Sequence, residues 1–265
     1  MPNPLRDKPP LEVKLASAPL HRVLAVIQFP AILKISEERG IVDFQDKIRK
    51  HYPDLQREQE LGVQFQMAPN GEMLPPQQVI NNLWRFASTD HAWRITLSTQ
   101  SVALETLAYR SRDDFLQRLE SILEIFVEQL EPSSCSRIGI RYLNLLNAND
   151  VSIVKGFARE GLRSLSDTEI SQHIAASSHS VTLDVPEGTL FARWGILPPN
   201  TVHDPNMLVP TSNRSWYLDM DCFSEDALPF EAKEILVQCR LKTERIYSFF
   251  RWAVSPDFIE NHKDV

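Results

Sequence analysis

Glycine is scarce in this chain, with 8 residues among 265. Glycine-rich loops let backbone N–H groups approach a phosphate closely, as in the Gly-x-Gly-x-x-Gly and P-loop motifs. Neither motif occurs in the sequence. The sequence therefore argues against a nucleotide cradle of that kind.

Cysteine is scarcer still, and Cys135, Cys222 and Cys239 are the three present. Their spacing matches no zinc motif, so they are predicted to be free thiols in a reducing compartment. The first 19 residues hold five prolines and no apolar centre, which is not the pattern of a secretory signal. No apolar run approaches the roughly 20 residues that span a bilayer. These features predict a protein of the prokaryotic cytoplasm without a membrane partner.

An excess of positive charge is also missing, because the formal net charge is −7 and the isoelectric point is about 5.5. General nucleic-acid-binding surfaces are basic, so the net charge does not indicate nucleic acid as a partner. An acidic protein is better suited to a basic protein partner. The hydrophobic fraction of 43% and the charged fraction of 24% are ordinary for a globular protein with a sizeable core.

The order of strand and helix patterns predicts an α+β fold made of two related subdomains. Each subdomain has antiparallel-type strands followed by an amphipathic helix, and the first is similar to a ferredoxin-like unit with extra strands. The predicted divisions are an irregular, proline-rich tail at 1–18, a first subdomain at 19–150 and a second at 151–265 that ends in a long helix. We expect the tail and the loop at 198–213 to be mobile.

The clearest helix is predicted to begin at Asp113 or Asp114 and to end before Pro132. Its apolar residues recur at helical spacing and form one stripe. The stripe consists of Phe115, Leu119, Ile122, Phe126 and Leu130. A stripe of this kind predicts that the helix is buried against the first group of strands.

A strand pattern follows this helix, and its two faces differ. One face carries Arg137, Gly139 and Arg141, and the other carries Ile138, Ile140 and Tyr142. The glycine removes a side chain at the point where a partner would approach most closely. A buried arginine needs an acceptor because it does not shed its proton. We therefore expect Arg137 or Arg141 to pair with Asp219, Asp221 or Asp90.

Asp219 and Asp221 lie two residues apart on an otherwise apolar strand, which leaves two interpretations open. As carboxylates on one face they could bind Mg²⁺ in a metal-dependent phosphoryl-transfer or nuclease-like enzyme. As charged side chains they could instead be the partners of Arg137 and Arg141.

The same arginine-rich strand carries a family resemblance. The run from Arg137 to Asn144 fits an Arg-x-Gly-[Leu/Ile]-Arg-Tyr-x-Asn motif, and the runs Trp84–Phe86 and Pro19–Pro30 add to it. On these residues the chain resembles a sporadically distributed prokaryotic family of conserved hypothetical proteins. The resemblance covers most of the chain and brings no catalytic residue to carry over. The scattered distribution implies, by analogy, an accessory, defence or toxin-neutralising role.

The functional prediction is a non-catalytic protein-binding module. The predicted binding residues are Arg137, Arg141, Asn144, Asp219 and Asp221, and no catalytic residue, metal ligand or cofactor is predicted. Two alternatives stay open. One is the metal-dependent enzyme at the aspartate pair, and the other is a small-ligand sensor with a pocket between the subdomains.

Overall fold

The computed structural model describes residues 3–64, 77–147 and 151–263. These residues form a mixed α+β fold in which one antiparallel sheet of nine strands packs against helices. The predicted α+β class is therefore confirmed. Among the helices of the described residues, none combines the length and the apolar character that a bilayer crossing requires.

The first part of the chain alternates strands with helices. Its elements are β1 (Leu20–Gln28), α1 (Val42–Ile48), β2 (Asp54–Gln64), β3 (Gln77–Ala87), β4 (Trp93–Ser98), β5 (Ser101–Thr106), α2 (Arg112–Leu130), β6 (Ser134–Cys135) and β7 (Arg137–Asn147). Helix α2 begins slightly earlier than predicted. The hydroxyl of Ser111 caps it by accepting a hydrogen bond of 3.1 Å from the backbone N–H of Asp114.

The second part of the chain adds the remaining elements. They are α3 (Val151–Phe157), α4 (Glu160–Arg163), β8 (Ser177–Val185), β9 (Gly188–Leu197), β10 (Ser215–Ser224), β11 (Leu228–Pro229), α5 (Ala232–Ala253) and α6 (Pro256–His262). Strands β8 and β9 form a hairpin, and α5 is the long helix that was predicted. Helix α5 ends at Ala253, and Pro256 starts α6, because proline fits the first turn of a helix.

The nine strands of the sheet lie in the order β2-β3-β4-β5-β1-β7-β10-β9-β8. Strands β1 and β7 pair antiparallel near the middle of the sheet. Strand β7 precedes residue 150 and also pairs with β10, which follows it. One sheet therefore runs through both predicted halves, 19–150 and 151–265.

Helices α2 and α5 pack beside each other against one face of the sheet. The predicted stripe of α2 is buried, and Phe126 lies fully buried among the rings of Phe29, Phe44 and Phe230. Ile140 of β7 belongs to the same core. The arginines of β7 alternate with the isoleucines and so lie on the opposite face.

Residues 3–18 form no helix or extended strand, and they are held against α5 and α6. The backbone N–H of Val13 donates to the hydroxyl of Tyr247 at 2.8 Å, and Leu15 forms an antiparallel bridge with Lys263. Arg245 donates to the carbonyl oxygen of Pro4 at 2.7 Å. These contacts join the tail to the helix layer, and its mobility stays a prediction.

The segment between β9 and β10, residues 198–214, crosses the sheet face that is opposite the helices. Met207 and Leu208 are 1% and 3% exposed and pack with Leu143 and Tyr217. The segment therefore has a buried apolar anchor, and its mobility stays a prediction. Periodicity could not reveal this anchor, because the two apolar residues are adjacent in an irregular segment.

Candidate functional site

The pairing of β7 with β10 brings four of the predicted binding residues together. Arg141 lies directly opposite Asp221 in the register, and Leu143 lies opposite Asp219. Because alternate residues of a strand share a face, Arg137, Arg141 and both aspartates lie on the face away from α2 and α5. The two strands are neighbours in one sheet, so arginines and aspartates meet side by side.

Arg141 and Asp219 form a bidentate ion pair. The arginine Nε donates to Oδ1 at 2.8 Å, and its Nη2 donates to Oδ2 at 2.6 Å. Asp219 is 3% exposed, and this burial opposes its ionisation. Hydrogen bonds from Arg141 and His203 outweigh burial and lower the pKa of Asp219 to about 2. The predicted pairing is confirmed, while the predicted binding role stays a prediction.

Arg137 pairs with the second aspartate. Its Nη2 donates to Oδ2 of Asp221 at 3.1 Å, and its guanidinium carbon lies 4.4 Å from the ring centroid of Phe223. Burial raises the pKa of Asp221, because it outweighs the nearby arginine charges. A Cβ atom added at Gly139 would lie 2.7 Å from Nη1 of Arg137. The close approach expected at this glycine is therefore made by an arginine of the same strand.

The β9–β10 segment adds two side chains that the sequence reasoning missed. Nε2 of His203 lies 2.9 Å from Oδ2 of Asp219, and the imidazole stacks on Tyr217 at a centroid distance of 4.3 Å. Oδ2 of Asp204 lies 2.8 Å from Nη2 of Arg141. Both residues come from an irregular segment, so no pattern pointed to them. The Asp219 cluster is defined here as Arg141, Arg193, His203, Asp204 and Asp219.

A second arginine–carboxylate cluster lies on the same face, across β1, β4 and β5. Nη1 of Arg22 donates to Oε2 of Glu105 at 3.0 Å, and Nε of Arg94 donates to Oε1 of Glu105. Nη1 of Arg22 also donates to the backbone carbonyl of Asn206 at 2.9 Å. Arg22 is 8% exposed and Glu105 is 9% exposed. Arg22, Arg94 and Glu105 are called the Glu105 cluster.

The sequence reasoning missed the Glu105 cluster, although part of its signal is local. Arg94 and Glu105 lie directly opposite each other in the hairpin of β4 and β5. Cross-strand pairs of opposite charge are favourable, so the hairpin register alone pointed to this pair. Arg22 lies 83 positions before Glu105, and only the order of strands in the sheet brings it there.

The structure places Asn144 apart from the other predicted binding residues. Its side chain lies on the helix side of β7, is 3% exposed, and donates to the carbonyl oxygen of Leu218 at 3.4 Å. Asp90 also lies elsewhere, where its carboxylate accepts from the Ser88 hydroxyl at 2.5 Å and the Ala92 N–H at 3.1 Å. Of the three acceptors expected from the sequence, the arginines therefore contact the two on β10.

A cavity of about 640 Å³ lies on the helix side, beside Asn144 and Tyr142. Residues 12–20 form one wall, and side chains of α5 and of the segment after β5 form others. The hydroxyls of Tyr109 and Tyr142 are 3.1 Å apart. Burial raises the pKa of Tyr109 to about 12, so this hydroxyl keeps its proton at neutral pH. The cavity is thus lined by residues from both predicted halves.

Within the described residues, no group of three or more histidine, cysteine, aspartate or glutamate side chains is arranged to hold a metal ion. Both oxygens of Asp219 accept from Arg141, so a metal ion there would have to displace the arginine. All three cysteines are buried free thiols, and burial raises the pKa of Cys222 and of Cys239 to about 12. These two thiols are therefore protonated at neutral pH, and protonated thiols are poor nucleophiles.

The candidate site therefore has two parts on opposite faces of the sheet, the paired charges on one and the cavity on the other. The charges of Asp219 and Arg141 neutralise each other, which suits a structural or docking role better than proton transfer. No family model matches this chain, and no curated protein matches it either.

Proposed function

We propose that this protein is a non-catalytic protein-binding module whose partner docks an amphipathic helix between α2 and α5. The observation that carries the proposal is a groove of about 560 Å³ between these two helices. The groove has an apolar middle and charged rims. Grooves of this kind are a common way for proteins to bind an amphipathic helix.

The apolar part of the groove combines Leu116 of α2 with Leu236, Val237 and Leu241 of α5. Val237 is 57% exposed and Leu241 is 39% exposed. These two residues are four positions apart and so lie on the same side of the helix. Together they form a stripe of apolar surface that a partner helix would cover.

The two rims of the groove carry opposite charges. Asp113 and Glu120 line the α2 side, and Lys233 and Arg240 line the α5 side. Arg240 is paired with Asp113 across the groove at 2.9 Å. A partner helix with basic residues towards α2 and acidic residues towards α5 would complement both rims.

The test is affinity purification of the tagged full-length protein from its native cells, followed by mass spectrometry and cross-linking. Val237→Asp places a charge in the groove and is expected to lower partner recovery at least about tenfold. Val42→Asp is the matched control, because Val42 is a 44% exposed valine on α1. Cross-links from Lys233 to an acidic partner segment would support the docking geometry. Equal recovery with Val237→Asp and Val42→Asp would refute it.

The proposed role is that of an accessory or defence component, such as one that neutralises a toxin by covering it. The family resemblance is the support for this role. The role is tested by comparing the growth of two cell lines. One produces the captured partner alone, and the other produces the partner together with this protein. Toxicity that this protein does not relieve would contradict the toxin-neutralising form of the proposal.

We do not propose the metal-dependent enzyme at Asp219 and Asp221. The bidentate contact with Arg141 occupies Asp219, and Arg137 occupies Asp221. The proposed compartment is the prokaryotic cytoplasm. Free thiols at all three cysteines agree with a reducing environment.

We also infer that the two halves are related ferredoxin-like units that share β1 and β7. Neighbouring strands β4-β5-β1-β7 follow the ferredoxin order, with β1 and β7 as the first and fourth strands. In the second unit, β9-β10-β7-β1 repeats this order with the roles of β1 and β7 exchanged. The second unit then starts at β7 instead of residue 151.

The register between the two central strands supports this relation. Arg22 lies opposite Leu143, and Arg141 lies opposite Leu24. A twofold rotation that exchanges β1 and β7 therefore exchanges two equivalent leucine–arginine pairs.

A further inference from the structure

The 640 Å³ cavity on the helix side lies within the usual range for small-molecule sites, about 300–1,000 Å³. It lies where the first half, the second half and the N-terminal segment meet. Residues 12–20 cover it and are themselves anchored through Val13 and Leu15. The segment that covers the cavity is therefore fixed to the helix layer.

One side of the cavity is apolar and deeply buried. Met220 is fully buried and Phe250 is 8% exposed, and both contribute to the lining. The aromatic body of Tyr142 and the side chain of Leu20 extend this surface. An aliphatic or aromatic group of a ligand would gain burial of apolar area here.

Neutral hydrogen-bonding groups lie beside this apolar surface. Tyr109 and Tyr142 share one hydrogen bond between their hydroxyls, which leaves one hydroxyl proton of the pair able to donate elsewhere. The side chain of Asn144 also lines the cavity. These groups can orient a polar end of a ligand without adding charge.

The charged residues of the lining are mostly cations, although the whole protein is acidic. Lys14, Arg110 and Arg112 line the cavity together with Glu12. Arg112 forms ion pairs with Glu12 at 3.8 Å and with Glu244 at 3.5 Å, and both distances are longer than those of strong charge-assisted hydrogen bonds. Its side chain is 13% exposed, so Arg112 is largely desolvated while both of its ion pairs are long.

We propose that this cavity binds a small amphipathic carboxylate. The apolar body contacts Met220 and Phe250. The carboxylate pairs with Arg112 at a shorter distance than its two glutamate partners do. The charge of the lining selects an anion, and the apolar side selects a ligand with a hydrocarbon or aromatic body. This site is separate from the helix-docking groove and does not depend on the proposed partner.

The test is isothermal titration of the full-length protein with octanoate, octanol and octylamine. These probes share one chain length and differ in the charge of the head group. Octanoate is expected to bind at least about tenfold more tightly than octylamine, with octanol between them. Raising the salt concentration is expected to weaken octanoate and leave octanol unchanged.

Arg112→Gln is expected to lower the affinity for octanoate about tenfold and to leave octanol unaffected. Arg118→Gln, which changes a second arginine of α2, is the matched control. Val237→Asp in the groove is expected to leave octanoate binding unchanged, which keeps failure of the two proposals distinguishable. Equal binding of octanoate and octylamine, no binding of any probe at millimolar concentration, or equal losses in both arginine variants would overturn the carboxylate site.

Discussion

The Asp219 cluster and the Glu105 cluster follow the same plan in the two halves of the sheet. In each, a carboxylate is held by an arginine of the central strand pair, Arg141 for Asp219 and Arg22 for Glu105. In each, a second arginine lies directly opposite the carboxylate on the neighbouring strand, Arg193 in one and Arg94 in the other. The arrangement of one carboxylate between two arginines is therefore repeated, although the carboxylate is an aspartate in one cluster and a glutamate in the other.

The clusters differ in what the β9–β10 segment adds to them. His203 contacts Asp219 and Asp204 contacts Arg141, whereas Arg22 of the Glu105 cluster donates to the backbone carbonyl of Asn206. A cavity of about 120 Å³ lies next to Glu105. The Asp219 carboxylate is thus covered by protein groups and 3% exposed, whereas Glu105 is 9% exposed and has a cavity with room for water beside it.

Ion pairs of the same geometry can therefore contribute different amounts to the free energy of unfolding. An ion pair that is sealed from water leaves a stranded charge when one partner is removed. A pair beside a hydrated cavity loses less, because water can take over part of the lost hydrogen bonding. The following expected outcomes test this comparison, from the largest effect to the smallest.

Asp219→Ala is expected to lower the free energy of unfolding by about 3 kcal/mol, because it removes the bidentate partner of Arg141, whose side chain is 19% exposed. Asp204 remains as a partial acceptor and keeps the loss near the lower end of the usual range. Combining Asp219→Ala with Arg141→Met is expected to cost less than Asp219→Ala alone. Urea denaturation of both variants measures the difference. Strictly additive losses would contradict an energetic coupling between Arg141 and Asp219.

Glu105→Ala is expected to lower the free energy of unfolding by about 2 kcal/mol, which is less than Asp219→Ala. The physical reason is the adjacent cavity, where water can solvate Arg22 and Arg94 after the carboxylate is gone. Urea denaturation under the same conditions provides the comparison. A loss equal to or larger than that of Asp219→Ala would show that the cavity does not reduce the cost of removing the carboxylate.

Acidification is expected to remove the contribution of Asp219 to stability. Its pKa is about 2 in the folded chain and 3.8 when unperturbed, so the contribution is fully present above pH 3.8 and is lost as pH falls through 2. The shift corresponds to about 2 kcal/mol. The difference in unfolding free energy between wild type and Asp219→Asn should shrink from pH 6 to pH 2.

Asp221 provides a control of opposite sign for this pH series. Burial raises its pKa, so protonation of this residue favours the folded state as pH falls through the raised value. Asp221→Asn is therefore expected to abolish this stabilisation at low pH. Asp219→Asn, in contrast, is expected to abolish a destabilisation at low pH. Parallel pH profiles for Asp219→Asn and Asp221→Asn would contradict the opposite shifts.

The outer arginines are expected to give the smallest effects. Arg193 lies 3.6 Å from Asp219 and its side chain is 30% exposed, so Arg193→Gln should cost about 0.5 kcal/mol or less. Arg94 donates directly to Glu105, and Arg94→Gln should cost about 1 kcal/mol. Thermal unfolding of the two variants ranks their losses of stability. A larger loss for Arg193→Gln than for Arg94→Gln would contradict the expected order.

Several elements could be predicted from the sequence because their signals are local. The apolar stripe of α2 predicts a buried helix, and Phe126 is buried at the centre of an aromatic cluster. The alternation in β7 predicts which side chains share a face. Helix α6 was not predicted. A proline such as Pro256 can either end a helix or begin one, and its sequence neighbours do not decide between these roles.

About half of the charged face could be predicted by the same reasoning. Arg137 and Arg141 had to find acceptors, and the aspartates of β10 had the matching two-residue spacing. His203 and Arg22 could not be found in this way. Each depends on how a segment or strand is placed relative to distant parts of the chain, and no local periodicity encodes that placement.

The sequence by itself determined the α+β class, the buried helix faces and the need of two arginines for acceptors, because these follow from the periodicity and charge of short segments. Only the tertiary structure decided that one sheet joins both halves, that Arg22 and Glu105 repeat the pairing of Arg141 and Asp219, and that Asn144 faces a cavity on the other side. Strand order and register are set by pairings between distant segments. Those pairings depend on which faces can be buried together in the complete fold.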